Sequence, residues 1–478
     1  MSLTNGKGGA IFVRDNENTI HIYGEPKMMR ADFSRVTGRF KPMNGVSLAP
    51  PMNHIFAWER GWDLYRKLNI QGVRLHDVPL NNPGMRLVDV HQIFANFAAD
   101  PADPANYYFD QTDDYLRPCV EAGMTVEYRL GESIEHSPRR YFTHPPKDYE
   151  KWAEICCRIA EHYTGGWADG FHWGESMKYW EVWCEPNEWK LWSGTPEEYF
   201  HLYEVTARKF AERVPELQLG GPCWGGCNLE MIEKFLAFCR ERELKLDFVT
   251  WNQYDRSIKS QREAPEKVRE LTEKYGYGET GLHLGEWHYF NRNWNELKNP
   301  DTVSDVDDPV YGMNGFGAAG YTACCCAAFQ DSPLTMEYFY TGGRGTFGIC
   351  DARGNPKKTA YALEACGAVL ACPERVWADP GDNISPEMRK HTKSDGDIRI
   401  LAGRDGKGGG VIMVSTFMWM DLQFELEIAG LGPFDAAVFV TDRTRDQEPA
   451  AFTRSGNTLK IMKPGSSAVY SIFLTPEN

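Results

Sequence analysis

Two hydrophobic periods alternate along most of this chain. Between residues 42 and 340, short apolar runs of strand length are followed by longer stretches with apolar positions at helical spacing. The runs at residues 43–48, 72–76, 124–130, 178–183, 217–220, 247–251, 281–286 and 334–340 predict eight strands. The stretches between them predict helices over residues 55–68, 113–122, 196–213, 229–242, 263–275 and 310–329. One further helix opens at Pro146-Lys147-Asp148, with Trp152, Ile155, Ile159 and Tyr163 on a common face. Eight alternating units predict an α/β fold of the (β/α)8 barrel type. A doubly wound open sheet would want a glycine-rich phosphate turn after its first strand, and none stands there.

The pattern differs on both flanks. Residues 10–13 and 19–23 read as short strands around the turn-forming Arg14-Asp15-Asn16. Beyond residue 371, strands are predicted at 398–401, 410–415, 422–428, 435–441, 458–461 and 468–474, separated by Gly, Asp and Pro turns. That texture predicts an accessory antiparallel β-sandwich. A lone hairpin is unstable in water, so the N-terminal strands are expected to join it. The expected division is residues 1–40 (N-terminal strands), 41–345 (barrel) and 346–478 (linker helix and sandwich).

Composition narrows the function classes. The 478 residues allow two or three domains, and the net charge of −15 argues against nucleic acid or an anionic membrane as main partner. No stretch has the length and apolarity of a membrane span, and residues 1–30 lack the apolar core of a signal peptide. The 13 cysteines include Cys156-Cys157 and Cys324-Cys325-Cys326, which do not form a disulfide framework. A reducing cytoplasm is the compartment expected. Cys223-x3-Cys227 has no companion pair at zinc spacing, so no metal site is expected there. The 15 tryptophans suit sugar stacking or a large core. A homo-oligomer is compatible with all of this.

The candidate chemistry lies at two predicted strand ends. In Tyr179-Trp180-Glu181-Val182-Trp183-Cys184-Glu185, the following Pro186 stops the strand and leaves Glu185 at its C-terminal end, among Trp183, Trp189 and Trp192. Barrel enzymes carry their catalytic residues at such ends. Apolar surroundings favour the neutral carboxylic acid, which suits a general acid. The plainer alternative is an acid that caps the next helix. Glu286 ends strand seven beside Trp287, His288 and Tyr289. Two carboxylates flanking a glycosidic bond cleave it with retention when ~5–5.5 Å apart and with inversion at ~6.5–9.5 Å. The plainer role for Glu286 is an ion pair with Arg74 at the end of strand two. The two roles are compatible, because an arginine keeps a nucleophilic carboxylate ionised. Glu181, inside strand four, is expected to be paired and structural, and Glu188 to sit on the rim. Trp224, Trp251 and Trp294 follow strands five, six and seven, either to stack sugar rings or to be buried.

A run of motifs, in order, resembles glycoside hydrolase family 39, the β-xylosidase and iduronidase family of clan A. They are Gly38-Arg39-Phe40-Lys41-Pro42, Val73-Arg74-Leu75-His76, residues 145–152, Trp180 to Asn187 with Trp192, Tyr199-Phe200 and Leu202-Tyr203, then Gly220-Gly221-Pro222, Asp247-Phe248-Val249 and Glu286-Trp287. The resemblance covers residues 38–340 and implies a retaining mechanism with Glu185 as acid/base and Glu286 as nucleophile. It implies that Arg74 and Tyr254 support Glu286, and that His76 contacts the sugar. Three positions depart from the family pattern. Cys184 stands where the family has an Asn that binds the sugar 2-hydroxyl, Asn252 where it has a His, and Tyr340 where it has a Trp. With Trp251 these complete the expected sugar-contacting set. No cofactor is implied, and the partner implied is a carbohydrate. The alternatives are a non-catalytic carbohydrate-binding barrel, motivated by the three departures, and a nicotinamide-dependent oxidoreductase, disfavoured by the missing phosphate turn.

Overall fold

The structure is a computed structural model of the chain. It describes residues 3–5, 11–14, 20–23, 27–52, 55–78, 86–133, 140–298, 303–381, 397–419, 423–462 and 467–477.

Eight parallel strands close on themselves into a barrel. In chain order they are β1 (Gly45–Ser47), β2 (Gly72–Leu75), β3 (Thr125–Leu130), β4 (Tyr179–Val182), β5 (Gln218–Gly225), β6 (Phe248–Asp255), β7 (Gly281–Tyr289) and β8 (Met336–Phe339). Pairing of β8 with β1 closes the ring. The predicted (β/α)8 barrel is therefore present. Strands β5, β6 and β7 run further than their apolar cores, because polar residues such as Asn252 and His288 stay in the ladder. Those extra residues carry much of the cleft.

Helices return the chain between strands. Ile55–Leu68 and Pro196–Arg213 match their predicted spans. The latter starts with a capping box: Thr195 Oγ accepts from Glu198 N at 3.2 Å, and Glu198 Oε2 accepts from Thr195 N at 2.8 Å. The helix predicted over 263–275 begins earlier, at Ile258, because Ser257 caps its N-terminus by accepting from Ser260 N. The helix predicted over 310–329 is shorter, Phe316–Phe329, since residues 308–315 form backbone-bonded turns.

The predicted sandwich takes the form of one curled ten-stranded sheet. Its inward face, with Phe33, Val376, Ile400, Val414, Leu426, Val440 and Tyr470, forms a core separate from the barrel's. Phe424 and Tyr470 belong to well-separated strands, yet their rings meet edge to face at 5.2 Å, so the sheet wraps round its own side chains. The expectation for the N-terminal strands is corrected. Leu3–Asn5, Ile11–Arg14 and Ile20–Tyr23 pair with one another in a three-stranded antiparallel sheet; residues 10 and 19 of the predicted spans lie outside the described residues. The strand that joins the large sheet is Lys27–Gly38, whose period-two burial of Met29, Ala31 and Phe33 faces the second core. It pairs antiparallel with Glu374–Asp379 and parallel with Gln423–Ala429.

Two helices sit between barrel and sheet. Phe316–Phe329 and Lys358–Leu370 are apolar nearly all round and almost wholly buried, as helices packed on both sides must be. Cys324 donates to Ser415 Oγ at 3.3 Å, and Cys366 contacts the Met413 sulfur at 3.6 Å.

Candidate active site

At the C-terminal ends of the barrel strands lies a cavity of about 200 Å3. Its wall includes His76 after β2, Cys184 and Glu185 after β4, Tyr254 on β6, Glu286 on β7 and Tyr340 after β8. Both predicted carboxylates thus face one space.

Glu286 is built as an anion. Arg74 Nη1 donates to Oε1 at 3.1 Å, Tyr254 donates its hydroxyl to Oε2 at 2.6 Å, and His76 Nε2 lies 3.2 Å from Oε1. Burial pushes the Glu286 carboxyl upward, but His76, Arg74 and Tyr254 outweigh it and hold it below the usual range. His76 is a cation in this setting. Burial and Arg74 oppose its charge, yet Asp77 and Glu286 raise it to about 9.

Glu185 is built as an acid. Burial pushes it well above the usual carboxylate range, and Cys184 and Glu286 add to the shift. Asn252 opposes this by donating from Nδ2 to Oε1 at 2.7 Å. Local structure fixes the loop that carries it. Glu185 N donates to Cys223 O at 2.8 Å, and Asn187 grips Gly225 at both its N–H (2.8 Å) and its carbonyl (3.1 Å). Glu185 itself takes a positive φ of 44°. Glu185 caps no helix: Asp148 and Thr195 cap the helices on either side of β4. Two carboxyl groups with opposite preferred protonation states, in one cavity, are arranged for acid and nucleophile work.

Comparison with known proteins bears on this geometry. Residues 53–275 match the family model described as glycosyl hydrolases family 39. The family 39 resemblance holds. A β-xylosidase of Geobacillus stearothermophilus is 41% identical over 156 residues, 31% of this chain and 30% of that protein. One of Caldicellulosiruptor saccharolyticus is 31% identical over 165 residues, 31% of each. The chain thus covers less than a third of the length of these relatives. Among solved structures, a glucosidase from Croceicoccus marinus superposes with a TM-score of 0.75 at 21% identity, covering 95% of this chain and 100% of that one. A monomeric β-xylosidase from Caulobacter crescentus gives 0.70 at 16% identity, over 95% and 100%. At such identities these structures speak to fold.

The three departures from the family 39 pattern sit together around the carboxylates. Cys184 Sγ lies 4.0 Å from Glu286 Oε1 and 3.5 Å from Arg74 Nη2. Asn252 bonds the acid Glu185. Tyr340 stacks on His76 with ring centroids 5.9 Å apart. Arg74, His76 and Tyr254 are all beside Glu286.

Trp251 is not. It is fully buried outside the cavity, its indole donating to Gln253 at 3.3 Å. Side chains alternate along a strand, so with Thr250, Asn252 and Tyr254 turned one way, Trp251 and Gln253 point to the helix Ile258–Lys274, where Gln253 meets Ser260. Trp224 is buried as well, against Tyr199. Trp294 does line the cavity and is 49% exposed, so of the three it is the one placed to stack a ring.

Beneath the cleft Glu181 is paired as expected: Arg74 Nη2 meets its Oε2 at 2.6 Å, while burial still raises it to about 7. Glu188 is exposed at the rim. Sequence reasoning missed Cys223, which accepts from Arg74 Nη2 at 3.1 Å and whose Sγ lies 3.3 Å from Asn252 Oδ1. It missed Arg129, Asp77, Leu191 and Phe347 in the cavity wall. Their strand-end or loop positions were the available signal. Asp89, His91 and Glu132 lie close enough together to hold a cation, but none lines this cavity; Glu132 pairs with His91, and Ser133 donates to Asp89.

Proposed function

We propose that the chain is a retaining, β-xylosidase-like glycoside hydrolase that removes a terminal sugar from an oligosaccharide or glycoside. The observation that carries this reading is the opposed protonation of Glu286 and Glu185 across one cavity. The family match and the two β-xylosidase relatives support the glycosidase class. The volume of about 200 Å3 is below the ~300–1,000 Å3 of pockets for drug-sized ligands, which suits a single sugar ring.

In this mechanism Glu185 gives its proton to the leaving oxygen while Glu286 attacks the anomeric carbon. Arg74, Tyr254 and His76 keep Glu286 ionised for the attack. Esterification removes the Glu286 charge that helped to raise Glu185, so Glu185 becomes more acidic. It then acts as base on the incoming water, and the glycosyl ester is hydrolysed with retention.

The test is a panel of aryl glycosides, β-xyloside, β-glucoside, β-galactoside and α-L-arabinoside, with NMR of the first-formed anomer. Turnover with retention of at least one glycoside is expected, and Glu286→Ala abolishes it. Glu185→Ala is expected to lose ~10²–10⁴-fold on substrates with poor leaving groups. Undiminished turnover in Glu286→Ala would sink the reading. Calorimetric sugar binding without turnover of any glycoside would instead favour a binding barrel.

A further inference from the structure

Two thiols meet on the floor of the cleft, and the glycosidase mechanism uses neither as a reacting group. Cys184 Sγ and Cys223 Sγ are 3.8 Å apart. Topology puts them there. The β4–β5 ladder pairs Glu181 with Gly220, and the two cysteines each follow three residues later. The bond from Glu185 N to Cys223 O holds the strand ends in step. Adjacent strands run ~4.8 Å apart, inside the ~4.4–6.8 Å Cα span of a disulfide. The sulfurs need to approach by about 1.8 Å to bond.

The two thiols are not equivalent. Cys184 forms part of the cavity wall, whereas Cys223 lies behind it. Arg74 Nη2 reaches both sulfurs, at 3.5 and 3.1 Å. The Cys223 S–H hydrogen bond, helped by Arg74 and opposed by burial and Glu286, lowers Cys184 to about 5, while burial raises Cys223. A thiolate in the wall of an open cavity with a protonated thiol in contact behind it is the arrangement of a peroxide-reactive cysteine and its resolving partner.

We propose that Cys184 and Cys223 form a modification site for hydrogen peroxide, which enters the cleft and converts the pair to a disulfide. The Cys184 thiolate attacks one peroxide oxygen; the O–O bond breaks, and the departing oxygen leaves as water after taking a proton. Cys184 is left as the sulfenic acid. Cys223 sulfur, giving up its proton, attacks the Cys184 sulfur. The S–O bond breaks, and the hydroxide takes that proton and leaves as the second water. Two thiols are oxidised by two electrons in total, and the peroxide is reduced to two waters. The cross-link moves the Cys223 sulfur, which lies against both Asn252 Oδ1 and Arg74 Nη2. Asn252 and Arg74 are the groups that hold Glu185 and Glu286, so turnover stops until a dithiol reopens the bond. That last consequence rests on the glycosidase reading; the thiol chemistry does not.

The full chain is treated with hydrogen peroxide, alkylated, digested and mapped by mass spectrometry, with turnover followed in parallel. One cross-link between Cys184 and Cys223 is expected, with loss of the mass of two hydrogens and full reversal by dithiothreitol. Turnover is expected to fall in proportion to the cross-linked fraction and to return with reduction. In Cys223→Ser, dimedone is expected to label Cys184. Free Cys184 and Cys223 beside oxidation at Cys227 or between Cys326 and Cys366 would overturn the proposal. So would dimedone on Cys223 in Cys184→Ser at the rate expected for Cys184. A reversible cross-link in a protein that turns over no glycoside would uphold the thiol site and reject the glycosidase reading.

Discussion

Tyr254 shows how single hydrogen bonds set the protonation of the cleft. Its hydroxyl donates to Glu286 Oε2 at 2.6 Å and stabilises the anion. Tyr254→Phe removes that donor, so the Glu286 pKa rises. If Glu286 must be ionised in the free enzyme, the acid limb of kcat/KM moves to higher pH. Bonds to charged groups contribute ~1.5–3 kcal/mol, so a loss of roughly 10–100-fold in kcat/KM is expected. Asn252→Ala acts on the other limb. It removes a donor that favours the Glu185 anion, so Glu185 rises further and the basic limb also moves to higher pH. A pH profile of each variant separates the two carboxylates; an unmoved acid limb in Tyr254→Phe would contradict Glu286 as the ionised partner. At this scale the sequence was legible where chain position alone decides: Glu185 just after β4, Glu286 in the C-terminal half of β7, and Arg74 and His76 at the end of β2. It was not legible at Cys223, whose partners Arg74 and Asn252 are 149 and 29 residues distant. Nor did Trp251 betray its direction, because Phe248 to Trp251 is buried on both faces of β6 and the apolar run reads alike on each.

Elements were readable where one physical rule dominated. Buried parallel strands favour apolar runs, and the barrel strands stood out by that even though Arg74, Glu127, Arg129, Glu181 and Glu337 interrupt β2, β3, β4 and β8. The helix Phe316–Phe329 was readable as a helix, but its small residues gain meaning only from their neighbours across the interface. A Cβ on Gly320 would come within 2.3 Å of the Thr416 carbonyl oxygen, whereas one on Gly317 would meet nothing within 4 Å. Gly→Ala raises helix propensity by up to ~1 kcal/mol at either site. Gly317→Ala is therefore expected to leave the protein as stable or slightly more so. Gly320→Ala forces the helix off the sheet and is expected to cost ~1–3 kcal/mol net, as overpacking does. Urea unfolding of the two variants checks the contrast, and equal midpoints would show that the helix–sheet contact is slack. The strand Lys27–Gly38 is the converse case. Met29, Ala31 and Phe33 alternate with Arg30, Asp32 and Ser34, yet it was not among the predicted strands, and nothing local signals its parallel pairing with Gln423–Ala429, nearly 400 residues on.

That long-range pairing decides how the whole molecule holds together. Lys27–Gly38 is hydrogen-bonded on both sides inside the ten-stranded sheet, and Gln423–Ala429, Thr458–Met462 and Phe452–Ser455 hang from it. Removing it divides the sheet and leaves two long open edges, one at Glu374–Asp379 and one at Gln423–Ala429, which invite aggregation. The damage does not stop at the sheet. The helices Phe316–Phe329 and Lys358–Leu370 bury one side on that sheet and the other on the barrel, and the first of them links β7, which carries Glu286, to β8. Deleting residues 1–38 is therefore expected to give protein that aggregates and lacks a cooperative thermal transition. Among the described residues, deleting residues 1–23 removes strands that pair with one another, and it is expected to leave solubility and Tm within error of the full chain. Light scattering with calorimetry on both truncations decides the matter. A soluble, cooperatively melting chain without residues 1–38 would mean that barrel and sheet stand independently, and that the acidic cleft needs no brace from the second core.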